Sequence, residues 1–354
     1  MYGTKNQSPL SAMESLDTTR LLTGTVWCPM PMVRQTLLST VGSTGPLGLH
    51  NRCDWCIGIR WQHLRAASLP SNICWGDPTR LPRSIFVSVT QFTVFIRDVY
   101  PCLPSGHKYT LIIADDDASI PMGHLDVRYR GANWDCLRES WSRLVDNSDI
   151  LHIFATHLDI PATSRYSPLP VGFNPQEHVD TDIDTLLDIP VNRDILSRPL
   201  SMKCCARVRL GTQWQDREIV HKLCTNAWSS FADTKALPRH EFFDKIQEYS
   251  FLLCPHGGGV DPNPNAFAAI YCATIPIMKR FINCEIIYRG LPVVFVDDWT
   301  PEEITTDLLA EWRTNLAPYI TDDNMRTAVL RKLTTDYWWE IIQTPDGSSS
   351  VWGV

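Results

Sequence analysis

The chain has no apolar run approaching the roughly 18 residues that a membrane-spanning helix needs. Its start, Met1 to Asp17, lacks the basic tip and apolar block of a secretion signal. A soluble, cytoplasmic protein with no membrane span is therefore expected. Positive charge is not in excess either: 32 Lys and Arg stand against 39 Asp and Glu, a net charge of −7. Without a global basic field nucleic acid is not an expected partner, and any phosphate site has to be local. Internal repeats, heptad runs and low-complexity tracts are also missing, which sets aside solenoids and long coiled coils. The 12 cysteines form no obvious metal framework. Cys53-Asp54-Trp55-Cys56 has zinc or redox spacing, but no second such pair or His-x-x-x-His follows, so structural thiols are expected there. Cys204, Cys205, Cys254 and Cys272 lie in apolar runs, where Cys acts as a small buried hydrophobe, in keeping with a reducing compartment.

What is present is a globular composition: 44% hydrophobic, 20% charged and 10% aromatic residues. A length of 354 residues exceeds one ordinary core and implies two domains. Short runs rich in β-branched and aromatic residues, as in buried parallel strands, occur at Ser84–Val89, Tyr109–Ala114 and Ile150–Ala155, with a helical pattern over Leu137–Val145. Strands alternating with helices imply an α/β layer fold. From Gln176 to Asp194 acidic residues and short apolar side chains dominate, which reads as a linker. Asp180, Asp182 and Asp184 alternate there, but the glycine turn and terminal glutamate of a calcium loop are missing. The same grammar then returns: helices over Arg217–Trp228 and Arg239–Tyr249, strand Phe251–Cys254, helix Ala266–Ala273, and strands Ile275–Met278 and Pro292–Val296. A last helix is expected over Asn324–Ile342. The expected division is 1–175, a linker over 176–199, 200–323, and a C-terminal helix in 324–354 packing back on the body.

The most informative stretch is Cys254-Pro255-His256-Gly257-Gly258-Gly259-Val260-Asp261, three glycines directly after a strand and shortly before a helix. Such a loop lets backbone amides approach a diphosphate, with the helix N-terminus adding partial positive charge. It is neither a Walker loop, lacking Lys-Ser or Lys-Thr, nor a GxGxxG turn. It continues through Asp261-Pro262-Asn263-Pro264-Asn265, Thr274-Ile275-Pro276-Ile277, and Leu291-Pro292-Val293-Val294-Phe295-Val296-Asp297-Asp298-Trp299. These blocks, in this order from Phe251 to Trp299, resemble the exostosin family of glycosyltransferases. The likeness extends faintly to Leu111-Ile112-Ile113 with Asp115-Asp116-Asp117 and Ile120-Pro121, and to Leu169-Pro170-Val171-Gly172-Phe173.

The resemblance implies a GT-B arrangement, two Rossmann-like domains facing across a cleft, with a nucleotide sugar held mainly by the second and an acceptor mainly by the first. It implies inverting transfer from a UDP-sugar, glucose and xylose both being plausible, to a hydroxyl of an oligosaccharide or glycoprotein. No cofactor or metal is implied. Such transfer needs a base for the acceptor hydroxyl and stabilisation of the departing diphosphate. Asp117 aligns best with the family's Asp as that base, with Asp116 and Asp115 next. Arg207, Arg209, Arg217, His256 and the amides of Gly257, Gly258 and Gly259 are the diphosphate candidates. Asp261, Asn263, Asn265 and Asp297 complete the donor set. One departure stands out: where the family has a helix Glu suited to the ribose hydroxyls, this chain has Ala268. Ribose is then held elsewhere, as by Asn265 or Asp297, or donor binding is weak, or the chain is an inactive relative serving as a binding subunit. Two further alternatives are a metal-dependent GT-A enzyme holding Mn²⁺ on Asp115-Asp116-Asp117, and a glycan-binding protein using some of its 13 Trp and 10 Tyr. Trp141 and Trp312, within helices, are expected in the core instead.

Overall fold

The computed structural model describes residues 26–28, 48–57, 73–77, 79–114, 118–123, 134–173, 187–205, 215–261 and 264–344. Two sheets organise them. The first contains β1 (Val26–Cys28), β2 (Trp55–Ile57), β3 (Ile73–Gly76), β4 (Ser84–Ser88), β5 (Tyr109–Ala114), β6 (Ile150–Thr156) and β7 (Tyr166–Leu169), in the order β1-β3-β2-β4-β5-β6-β7. Strands β2, β4, β5, β6 and β7 run parallel, and β3 pairs antiparallel to β2. The second sheet contains β8 (Met202–Cys204), β9 (Ala232–Asp233), β10 (Phe251–Leu253), β11 (Ile275–Lys279) and β12 (Val294–Val296), all parallel, in the order β12-β11-β10-β8-β9. Two α/β units are what the alternation of strands and helices implied.

The central strands read as continuous apolar runs because both faces of each sheet are covered. Alternate side chains go to opposite layers, as strand pleating requires. Ile85, Val87, Leu111, Ile113, Ile153 and Ala155 join Phe92, Phe95, Trp141 and Leu144 in one core. Their neighbours Phe86, Ile112, Ala114 and Phe154 join another. In the second sheet Phe251, Leu253, Ile275 and Ile277 pack outward with Val220, Cys224 and Leu309, while Leu252, Cys254 and Met278 enter the same core as Phe86 and Phe154. That core is therefore shared by the two units. Helix Asn265–Tyr271 lies inside it, buried at every position from Ala266 on.

Two sequence expectations change. Arg239–Tyr249 is not one helix but a short turn, Arg239–Glu241, followed by a helix limited to Phe242–Ile246. The C-terminal helix is broken in two, Asp323–Lys332 and Thr335–Gln343. Thr334 adopts an extended conformation and its side chain accepts from the Tyr337 amide, so it starts a new helix where apolar periodicity alone runs on. Cys53 and Cys56 are buried thiols that donate to the carbonyls of Leu49 and His50. The last helix sends Trp338 into the shared core and pairs Asp336 with Arg52 at 2.5 Å. Trp141 is buried, and Trp312 is half-buried against the outer core of the second sheet. Residues 176–186 of the acidic linker 176–199 lie outside the described residues, and its remainder is fastened to the second unit. There Arg193 donates to the carbonyls of Ile320 and Thr321, and the buried Arg198 to the Thr274 hydroxyl. Among the described residues no helix is long and apolar enough to cross a membrane.

Candidate active site

In open parallel sheets ligands bind outside the carboxyl ends of the strands, where the strand order reverses. In the second sheet that reversal lies between β8 and β10: the chain moves from β8 out to β9, then returns past β8 to β10, β11 and β12. The glycine loop leaves β10 at this point. Helix Gln215–Thr225 starts beside it.

The open side of the loop is lined by charge. His256 Nδ1 lies 2.9 Å from Asp216 Oδ2, and its Nε2 lies 3.0 Å from the Val260 carbonyl. Arg217 Nε donates to the His256 carbonyl at 3.2 Å. Lys279, ending β11, pairs with Asp298 beyond β12 at 2.7 Å. Burial alone would raise the Asp216 carboxyl, but the hydrogen bond and charge of His256 and the charge of Lys279 hold it below its ordinary value. These groups come from four segments, and only their position at one sheet edge brings them together.

The other side of the loop is a seam with the first unit. His157 directly follows β6 with φ 51°, in the left-handed region, and is buried. Its Nδ1 accepts from the Asp261 amide at 3.2 Å. A Cβ on Gly259 would stand 2.0 Å from that ring nitrogen, so only glycine lets the loop come this close. Asp261 Oδ2 accepts from the Val171 amide at 2.9 Å, and its Oδ1 from the Tyr288 hydroxyl at 2.8 Å. Burial raises the Asp261 carboxyl above its ordinary value; the hydrogen bonds from the Val171 amide and the Tyr288 hydroxyl offset only part of that. Asn283, with φ 65°, donates to the carbonyls of Leu158 and Ile160 at 3.2 and 2.9 Å and accepts from the Ala162 amide at 3.0 Å. Phe173 meets the rings of Phe267 and Tyr271 edge-on. The carboxyl ends of β6 and β7 thus face those of β10 and β11.

Of the expected site residues, Arg217, His256, Gly257, Gly258 and Gly259 are brought together at the order reversal. Asp261 belongs to the same loop, but it is 2% exposed and its carboxylate serves the seam. Asn265 begins the helix after the loop and is half-buried. Asp297 stands apart at the end of β12, two strands from β10, exposed and paired with Arg280 at 3.0 Å. Ala268 is fully buried in the shared core. Asp115, Asp116, Asp117, Arg207, Arg209 and Asn263 lie outside the described residues; the strand before the aspartates ends at Ala114, and the one before the arginines at Cys204. Asp216, Lys279, His157, Asn283 and Tyr288 were not expected from sequence. The signal available for Asp216 was its place beside Arg217 at a helix start, and for His157 its place directly after a strand.

No protein-family model matches the chain, and no curated protein matches it in sequence. Among solved structures it is similar to a sucrose-phosphate synthase from Thermosynechococcus elongatus, with TM-score 0.39 and 11% identity, covering 73% of this chain and 71% of that one. It is also similar to OtsA in its apo form, with TM-score 0.32 and 9% identity, covering 74% and 70%. Likenesses this distant carry nothing about fold or chemistry.

Proposed function

We propose that the chain is a glycosyltransferase of the exostosin-like, GT-B kind, moving a sugar from a UDP-sugar to a hydroxyl of a glycan or glycoprotein with inversion. The observation that carries this reading is the glycine loop at the order reversal of the second sheet, facing the carboxyl edge of the first. A nucleoside diphosphate on that loop would put its sugar toward the first unit. The four ordered sequence blocks from Phe251 to Trp299 support the same reading. In it, the amides of Gly257 and Gly258 and the cations Arg217, Arg207, Arg209 and Lys279 meet the diphosphate. Asp117, or its neighbours Asp116 and Asp115, takes the proton of the acceptor hydroxyl as that oxygen attacks the anomeric carbon and UDP departs. Gly259 and Asp261 act at the seam rather than on the donor. Ribose falls to Asn265, because no carboxylate stands at Ala268.

The test is a panel of nucleotide sugars scored by thermal shift and by slow donor hydrolysis, with and without EDTA. A UDP-sugar should raise the melting temperature without added metal, since ligand binding stabilises by mass action. Asp117→Asn should cut turnover by about a hundredfold or more with UDP affinity nearly unchanged. Loss of binding in EDTA with recovery in Mn²⁺ would move the assignment to the metal-dependent alternative. Binding of glycans with no donor hydrolysis would move it to a lectin.

A further inference from the structure

The His256 ring faces two acceptors. The Val260 carbonyl can only accept, and the Asp216 carboxylate also only accepts. A neutral imidazole carries one N–H and would leave one of these contacts as acceptor against acceptor; an imidazolium fills both. The bond to Val260 spans Gly257, Gly258 and Gly259 and closes the turn on itself, while the bond to Asp216 ties the turn to the start of helix Gln215–Thr225. Both ring nitrogens are thereby used within the protein. We propose that His256 is a positioning residue: doubly protonated, it donates to Asp216 and to the Val260 carbonyl, and so holds the glycine turn in the shape that receives an anionic diphosphate. This rests on reading the edge as the donor site.

Among the described residues, the charged and titratable groups facing His256 come from several elements. Helix Gln215–Thr225 supplies Asp216, and Arg217 at the His256 carbonyl. The end of β11 supplies Lys279, whose charge acts on Asp216 and which Asp298 pairs. The loop itself supplies Asp261, which feels the His256 charge. The Phe281 ring stands edge-on at 6.0 Å. The sign follows. As pH rises and the ring loses a proton, one bond is lost, the turn loosens, and donor affinity falls. Without the Asp216 carboxylate the charged ring is less favoured, so the fall moves to lower pH.

The experiment is calorimetric titration of the intact protein with UDP-glucose, whose phosphates do not titrate in this range, from about pH 5.5 to 8.5 across the imidazole range. Wild-type affinity should fall about tenfold across it, the worth of one charge-assisted hydrogen bond. His256→Gln should bind about tenfold more weakly at the acid end and show no pH dependence. Asp216→Asn should shift the fall to lower pH. Nitrogen NMR of the ring, assigned by difference from His256→Gln, should show protons on both nitrogens at neutral pH with no ligand added. A pH-independent wild type whose His256→Gln binds equally well overturns the proposal, as does a singly protonated ring at neutral pH. Absence of binding in every form overturns the donor-site reading, and the NMR signature then decides the closed turn by itself.

Discussion

One loop of eight residues, Cys254 to Asp261, has two sides that work under different physics. Its outer side, His256 with Asp216, Arg217 and Lys279, is partly open and held by charge. Its inner side, Gly259 and Asp261 against His157, Val171 and Tyr288, is buried and held by shape and by neutral or shielded hydrogen bonds. A glycine-rich loop invites the reading that every glycine serves a ligand. Here Gly259 serves the protein, because a side chain would enter the His157 ring. If the comparison holds, changes on the inner side cost stability first, and changes on the outer side alter ligand binding and leave stability nearly intact.

The largest effect should come from the position just beyond the loop where the exostosin-like pattern places a carboxylate. Ala268→Glu would bury a charge in the core shared by both units, where Ala268 has no exposure. A buried, unpaired carboxylate costs several kcal/mol, about 3–5 by analogy with broken buried pairs. Urea denaturation should find the variant largely unfolded or destabilised by that amount. A stable variant that binds UDP more tightly would show instead that this helix face opens onto the ribose.

Next comes the seam. Gly259→Ala forces a methyl against His157, and overpacking of this kind costs roughly 1–3 kcal/mol, here at the upper end because the ring is buried. His157→Gly should relieve both the clash and the left-handed backbone of that residue. The double variant should therefore recover much of the loss, a coupling read from a denaturation cycle. Additive losses would mean that the two residues do not touch in solution.

Much of the fold was legible in the sequence, and the two sides of the loop show where legibility stops. Strands β4, β5, β6, β10, β11 and β12 are visible because burial on both faces writes an unbroken apolar run. Strand β7 hides in Tyr166-Ser167-Pro168-Leu169, where Ser and Pro break the apolar run, and β9 in two residues, Ala232 and Asp233, which are too few to carry a pattern. The glycine loop is visible because its composition is local. The seam is not, because Asn283 acquires its role from carbonyls more than 120 residues earlier and Asp261 from an amide 90 residues away. Reading Asp261 as a donor ligand was natural from its motif, yet the side chain points inward to Val171 and Tyr288.

The two aspartates of the site should also respond to pH with opposite signs. Asp216 is held below its ordinary value, so it adds stability that is present above the unfolded carboxyl range and is lost as pH falls through its folded value. Asp261 is held above its ordinary value, chiefly by burial. Its contribution is greatest in acid and is lost as pH rises from the unfolded range through the raised folded value. Comparing wild type with Asp216→Asn and with Asp261→Asn between about pH 3 and 7, bracketing ordinary carboxyl values, the stability differences should slope in opposite directions. Parallel slopes would mean that the inner and outer sides share one environment.

The smallest effect on stability belongs to the outermost pair. Lys279 and Asp298 lie 2.7 Å apart with side chains 31% and 63% exposed, and exposed ion pairs of this kind contribute about 0–1 kcal/mol. Asp298→Asn should therefore leave the denaturation midpoint within error of wild type. It also removes one negative charge from the edge where a diphosphate is proposed to sit and releases Lys279 from its partner. Donor affinity should then rise by a few-fold at low ionic strength and return to the wild-type value near 1 M salt, where the screening length shrinks to about 3 Å. A salt-independent change, or a loss of affinity, would place Asp298 in direct contact with the donor. A loss of stability without any change in binding would put the Lys279 pair on the structural side of the comparison, with the seam.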